Sequence, residues 1–150
     1  MNTEKSLILS SPAAGWCSFT LKTDEGEFHA SLSYLTDVML DTLKACLTAL
    51  QTEAAAVMYN RESEGTFLFV LSDHDVYILD ENLESGMIRF ENISVTEICE
   101  KVLDSYDASP AAWINFSNMN DQSEPDYNKY EETETAEIKK VIEEIRKLLV

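Results

Sequence analysis

Apolar and polar residues alternate from Trp16 to Lys22, with Cys17, Phe19 and Leu21 on one side and Ser18, Thr20 and Lys22 on the other. A turn at Thr23–Gly26 follows, and alternation resumes from Glu27 to Ser33 with Phe28, Ala30 and Leu32 on one side. Two period-two runs around a glycine-containing turn predict a half-buried β-hairpin. Thr36 and Asp37 then supply a capping hydroxyl and a first-turn carboxylate, which opens a helix over 36–51. Its polar residues, Asp37, Asp41, Lys44 and Thr48, form one narrow stripe, while Met39, Leu40, Leu43, Cys46, Leu47 and Leu50 fill most of the remaining surface. A helix with so little polar surface has to be largely buried, across the apolar face of a sheet.

The same reading extends along the chain. Ser6–Ser10 is an edge strand or strand lead-in that Ser11-Pro12 ends, and Ala54–Tyr59 reads as a strand before a turn-like Asn60–Gly65. Thr66–Leu71 is apolar on both faces and so should be central, with Val76–Leu79 and Met87–Phe90 as further strands. Ser94-Val-Thr-Glu97 has the form of a capping box, and Val95, Ile98, Cys99, Val102, Leu103 and Tyr106 recur at helical spacing over 94–106. Ala108-Ser-Pro110 ends that helix, and Trp113–Phe116 reads as a short strand or a packed connection. Residues 117–134 are rich in Asn, Ser, Asp and Glu and read as an acidic linker. Ile138, Val141, Ile142, Ile145, Leu148 and Leu149 then form the stripe of a last helix over 135–149.

Short turns join neighbouring strands, and no regular βαβ alternation occurs. An α+β fold follows: an antiparallel sheet of about five to six strands with the three helices packed mainly on one face. Residues 1–116 are expected to form a single α+β domain, and the helix of 135–150 to pack back on it.

Charge narrows the functional classes. The 150 residues carry 28 acidic and 11 basic side chains, for a net charge of −17. Such a surface repels phosphate backbones and anionic headgroups, so neither a nucleic acid nor a membrane is an expected partner. A basic protein is, because opposite charge accelerates encounter. No run approaches the ~18 apolar residues of a membrane span, and no leader pattern opens the chain. Cys17, Cys46 and Cys99 fall on the apolar faces of three separate elements and lack metal-ligand spacing, which fits reduced thiols and a cytoplasmic location.

Candidate chemistry is sparse. His29 falls on the polar side of a strand, where a solvated histidine is ordinary. In Asp73-His74-Asp75 two carboxylates flank an imidazole and could hold a metal or tune a base. Yet these residue types in a turn between strong strands need no function to explain them. Nucleophile-elbow, zinc-protease, phosphate-loop and calcium-loop patterns are all missing. The expectation is a protein that is not an enzyme, with no catalytic residue, no metal and no cofactor. What remains is acidic surface. Asp73, Asp75, Asp80, Glu81 and Glu84 lie in two loops of the predicted meander, at opposite ends of its hairpin. Asp121, Glu124 and Asp126 lie beside Tyr127 and Tyr130, a mixture suited to partner binding through aromatic anchors and a charged rim.

Gly15-Trp16, the hairpin, and Ser33-Tyr34-Leu35-Thr36-Asp37 followed by Leu40-Asp41-Thr42-Leu43 resemble a group of small acidic bacterial α+β proteins. These are similar in size, acidity and layout to the immunity proteins of contact-dependent growth inhibition and polymorphic toxin systems. The resemblance covers residues 15–80, and within it Tyr34 and Asp37 would fix the strand-to-helix corner. It implies an immunity protein that binds and occludes a cognate toxin domain; a basic partner suits the negative charge, and a nuclease is one such partner among others. A monomer is expected ahead of a dimer. The alternative is an acidic chaperone like those of type III secretion, or another small interaction module; such chaperones begin with a helix and dimerise, whereas this chain opens with strands.

Overall fold

A computed structural model describes residues 6–13, 16–24, 26–33, 38–110, 112–113 and 127–149. The fold is α+β, built from two antiparallel sheets and helices packed against them. β1 (Ser6–Ala13), β2 (Trp16–Thr23) and β3 (Gly26–Ser33) pair in that order. The expected hairpin is in place, with Phe19 opposite Ala30 and Leu21 opposite Phe28. Its period-two pattern buries Cys17, Phe19, Leu21, Phe28 and Leu32. β1 is an edge, as expected, but it continues through Pro12 to Ala13, with an irregular register between Ser10 and Ala13. A proline is tolerated there because an edge strand can spare an N–H.

β4 (Ala55–Asn60), β5 (Thr66–Leu71), β6 (Val76–Leu79) and β7 (Met87–Phe90) form a second sheet, a meander in chain order. The expectation of one sheet of five or six strands is corrected to two sheets of three and four strands. The reason is visible in the packing. The hairpin and the meander meet through side chains: the Phe19 ring lies 5.4 Å from Tyr59, 5.7 Å from Phe67 and 5.3 Å from Phe69, all across the gap between sheets. The two sheets thus meet face to face, with aromatic side chains of both inner faces interdigitated between them.

α1 (Val38–Thr52) runs between β3 and β4 in the chain and packs on β4, β5 and the other two helices. It is buried nearly all round, as its narrow polar stripe requires, with Lys44 and Thr48 exposed and Asp41 partly so. The corner expected at Tyr34, Thr36 and Asp37 lies outside the described residues. α2 (Val95–Ala108) begins with the anticipated capping box, Ser94 accepting from the Glu97 N–H while the Glu97 carboxylate accepts from the Ser94 N–H. It rests on β1, where the Leu9 N–H donates to Ser105 Oγ at 3.1 Å. Trp113, read as part of a strand or connection, is buried and donates from Nε1 to the Ser105 carbonyl at 3.0 Å.

α3 spans Tyr127–Leu149 and thus starts inside the stretch read as a linker, so 127–134 is helix. Glu and Lys are good helix formers even where no apolar stripe marks the segment. Further on, Ile138, Val141, Ile142 and Ile145 are buried, and the helix packs on α1 and α2. None of these helices is long and apolar enough to cross a membrane.

One buried polar contact was not anticipated. Thr42, on the inner side of α1, donates to the Val38 carbonyl at 2.6 Å, and its oxygen lies 2.5 Å from the Tyr59 hydroxyl. Burial raises the Tyr59 phenol, so it stays neutral and its O–H remains a donor. A Thr42→Ala protein, leaving that hydroxyl unpartnered, should lose about 1–3 kcal/mol in urea unfolding. Thr42→Val with Tyr59→Phe, which removes both polar groups while keeping shape, should lose much less; an equal loss would show that packing, not the polar pair, matters here.

Candidate functional site

Residues 53–88 contain one lysine or arginine, Arg61, amid many acids. The meander distributes those acids between its two ends, as the strand order implied, because Leu71 pairs with Val76 and so closes the β5–β6 turn at one end. At that end Asp73 and His74 are exposed, with Oδ2 and Nε2 3.1 Å apart. Asp75 turns inward instead, accepting from Arg89 at 2.7 Å and from the Asn92 N–H at 3.1 Å. The Arg89 hydrogen bond holds the Asp75 carboxyl below the usual carboxylate range. Asp75 therefore splints the β5–β6 turn to β7 and does not converge with Asp73 on a common ligand. No group of three or more metal-ligating side chains occurs among the described residues.

The opposite end is built differently. The loops 60–65 and 80–86 come together there, and a buried ion pair joins them. Arg61 donates to both oxygens of Asp80, at 2.8 and 2.9 Å, with the two side chains only 7% and 2% exposed. The guanidinium also stacks 5.0 Å from the Phe67 ring centre. Further bonds tie each loop: the Arg61 N–H donates to the Gly65 carbonyl at 3.0 Å, the Asn82 N–H to Asp80 Oδ1 at 3.0 Å, and Asn82 Nδ2 to the Glu64 carbonyl at 2.8 Å. Gly65, at φ +81°, makes the left-handed turn that returns the chain to β5.

Asp80 is thus corrected from a surface candidate to the buried anchor of the clamp. Glu81 and Glu84 are exposed, as a contact role needs, and the same loops add Glu62 and Glu64 beside them. Sequence reasoning missed these two because they sit in a separate turn; the signal would have been that β4–β5 and β6–β7 turns share one end of a meander. Four exposed carboxylates therefore project from two loops, while Arg61, the one cation of these loops, is buried and already neutralised. Asp121, Glu124 and Asp126 lie outside the described residues, and Tyr127 and Tyr130 fall in the first turns of α3.

Other candidates organise less. His29 is exposed, within reach of Thr20 and in contact with the Glu27 carboxylate on the strand surface. The three cysteines are buried and unbridged, and burial pushes the Cys17 thiol up to about 12, far from a reactive thiolate. A groove of about 570 Å³ opens between α2 and α3, lined by Tyr106, Pro110 and Ile142 with Asp107, Lys139 and Arg146. Its charges are of mixed sign, and Arg146 already reaches Asp107 at 3.5 Å.

Compared with known protein families, curated proteins and solved structures, the chain matches none of them.

Proposed function

We propose that this chain is an immunity protein that binds and occludes a basic toxin domain of a contact-dependent inhibition or polymorphic toxin system in the cytoplasm of the producing cell. The observation that carries the reading is the set of like charges at one end of the meander: Glu62, Glu64, Glu81 and Glu84, exposed on loops that the Arg61–Asp80 pair holds together. A toxin that acts on nucleic acid needs a cationic cleft, and carboxylates at fixed positions can take the place of phosphates in it. Preorganised loops reduce the ordering entropy lost on binding. A secretion chaperone that dimerises through its last helix is disfavoured, because Ile138, Val141, Ile142 and Ile145 of α3 are already buried within this chain.

Co-expression with the protein encoded immediately upstream tests the proposal. The wild-type chain should relieve growth arrest and co-purify with that protein. A Glu62→Gln/Glu64→Gln/Glu81→Gln/Glu84→Gln protein should associate at least about tenfold more slowly at low ionic strength, the difference shrinking in high salt. Unrelieved toxicity together with no complex would refute the assignment.

A further inference from the structure

We propose that the solvent face of the β4–β7 sheet is the apolar centre of a docking surface for a basic protein, with the clamped glutamate loops as its rim. This inference rests on the protein-binding function proposed above and says where the partner sits. Strand register puts Met58 opposite Leu68, Leu68 opposite Leu79, and Leu79 opposite Met87, so one apolar row crosses the whole sheet. The inner face is sealed by Phe67, Phe69 and Ile78, yet this outer row stays open to solvent: Met58 is 53% exposed, Leu68 37%, Leu79 36% and Met87 45%. The next row adds Val70 and Tyr77, both half-buried.

An antiparallel sheet with one face on the core ordinarily carries polar residues on the other. A contiguous apolar row in their place marks an interaction surface. The two methionines suit that use, being unbranched and able to adapt to a partner's contour.

Position and charge identify the occupant. The row is the one nearest the acidic end: Leu79 directly precedes the 80–86 loop, Met87 directly follows it, and Met58 lies two residues before Asn60. The partner must therefore present apolar or aromatic side chains at its centre and lysines or arginines beside them, the arrangement of a protein interface with a desolvated core and a charged rim. A second copy of this chain is the wrong shape electrically. Face-to-face pairing would bring together two molecules each carrying a net charge of −17. An anionic lipid surface is opposed by the same charge.

The experiment uses the full chain with methyl-labelled methionines and the protein encoded immediately upstream as the probe. On complex formation the Met58 and Met87 methyl signals should shift, while that of Met39, buried in α1, stays in place. A Leu68→Ser/Leu79→Ser protein should dissociate at least about tenfold faster with its association rate and salt dependence unchanged, since steering belongs to the rim and residence to the desolvated centre. If that double variant fails to fold, Met87→Ser on the edge strand gives the same readout. A complex that forms without moving Met58 and Met87, or wild-type dissociation from the serine variants, would overturn this inference and leave the proposed function standing. Met58 and Met87 shifts that depend on concentration in the chain alone would overturn it in favour of self-association. No complex at all would overturn both.

Discussion

Replacing Arg61 with methionine is expected to lower the free energy of unfolding by about 3–5 kcal/mol, because it strands the Asp80 carboxylate inside the protein. Against a total of about 5–15 kcal/mol for a small domain, this brings the chain near its stability limit. Asp80 is 2% exposed at the side chain, and Arg61 supplies both of its charged contacts. The double change Arg61→Met/Asp80→Leu should recover much of the loss, since removing both charges also removes the desolvation they suffer. Urea unfolding of the three proteins measures this directly. A loss below about 1 kcal/mol for Arg61→Met would mean that the loops hold together without the ion pair.

The pair should also shape stability in acid. The Arg61 hydrogen bonds hold the Asp80 carboxyl below the usual carboxylate range, against the opposing effect of burial, and the Asn82 N–H adds to them. The unfolded chain thus takes up this proton at a higher pH than the folded one does. The stabilisation is complete above the ordinary carboxylate pKa of about 3.9 and is lost as pH falls through the lower folded value. The advantage of wild type over Arg61→Met should therefore shrink below about pH 4. The functional consequence follows: in the Arg61→Met/Asp80→Leu protein the glutamate loops lose their common anchor, so a partner should bind more weakly even where the fold survives.

A Phe19→Ala protein is expected to lose about 3–5 kcal/mol, the range for emptying an aromatic site in a packed core. Phe19 is fully buried, and its ring meets Phe28 within its own sheet and Tyr59, Phe67 and Phe69 on the other. Among the described residues no strand pairing joins the two sheets, so this cluster supplies contact that hydrogen bonds supply elsewhere. Phe19→Leu, which keeps most of the volume, should lose substantially less. Urea unfolding should rank the three proteins in that order. Equal stability of wild type and Phe19→Ala would show that the hairpin does not rely on this ring to hold the meander.

Local pattern made much of the fold legible. The hairpin at Trp16–Ser33, the capping box at Ser94 and Glu97, and the buried helix over Val38–Thr52 follow from short-range periodicity and cap chemistry. β5 was readable as an inner strand because both of its faces are apolar. The start of α3 was not readable, since 127–134 lacks the apolar spacing that marks an amphipathic helix. The acidic site was legible only in part. Glu81 and Glu84 stood out by density of charge, but nothing near them in the chain pointed to Glu62 and Glu64, and nothing distinguished Asp80 as buried.

The amino-acid order alone determined most strands and helices, because each depends on residues within a few positions of one another, and it determined the surplus of negative charge, which is a matter of composition. Tertiary structure decided which apolar residues face the core and which carboxylates stand together. Leu68 and Phe69 look equally apolar in the chain, yet one is exposed and the other fully buried. That choice belongs to the packing of two sheets around Phe19, and the gathering of the glutamates belongs to the strand order of the meander and to an ion pair between residues 19 positions apart. Both arise from contacts between distant parts of the chain, which no local window contains.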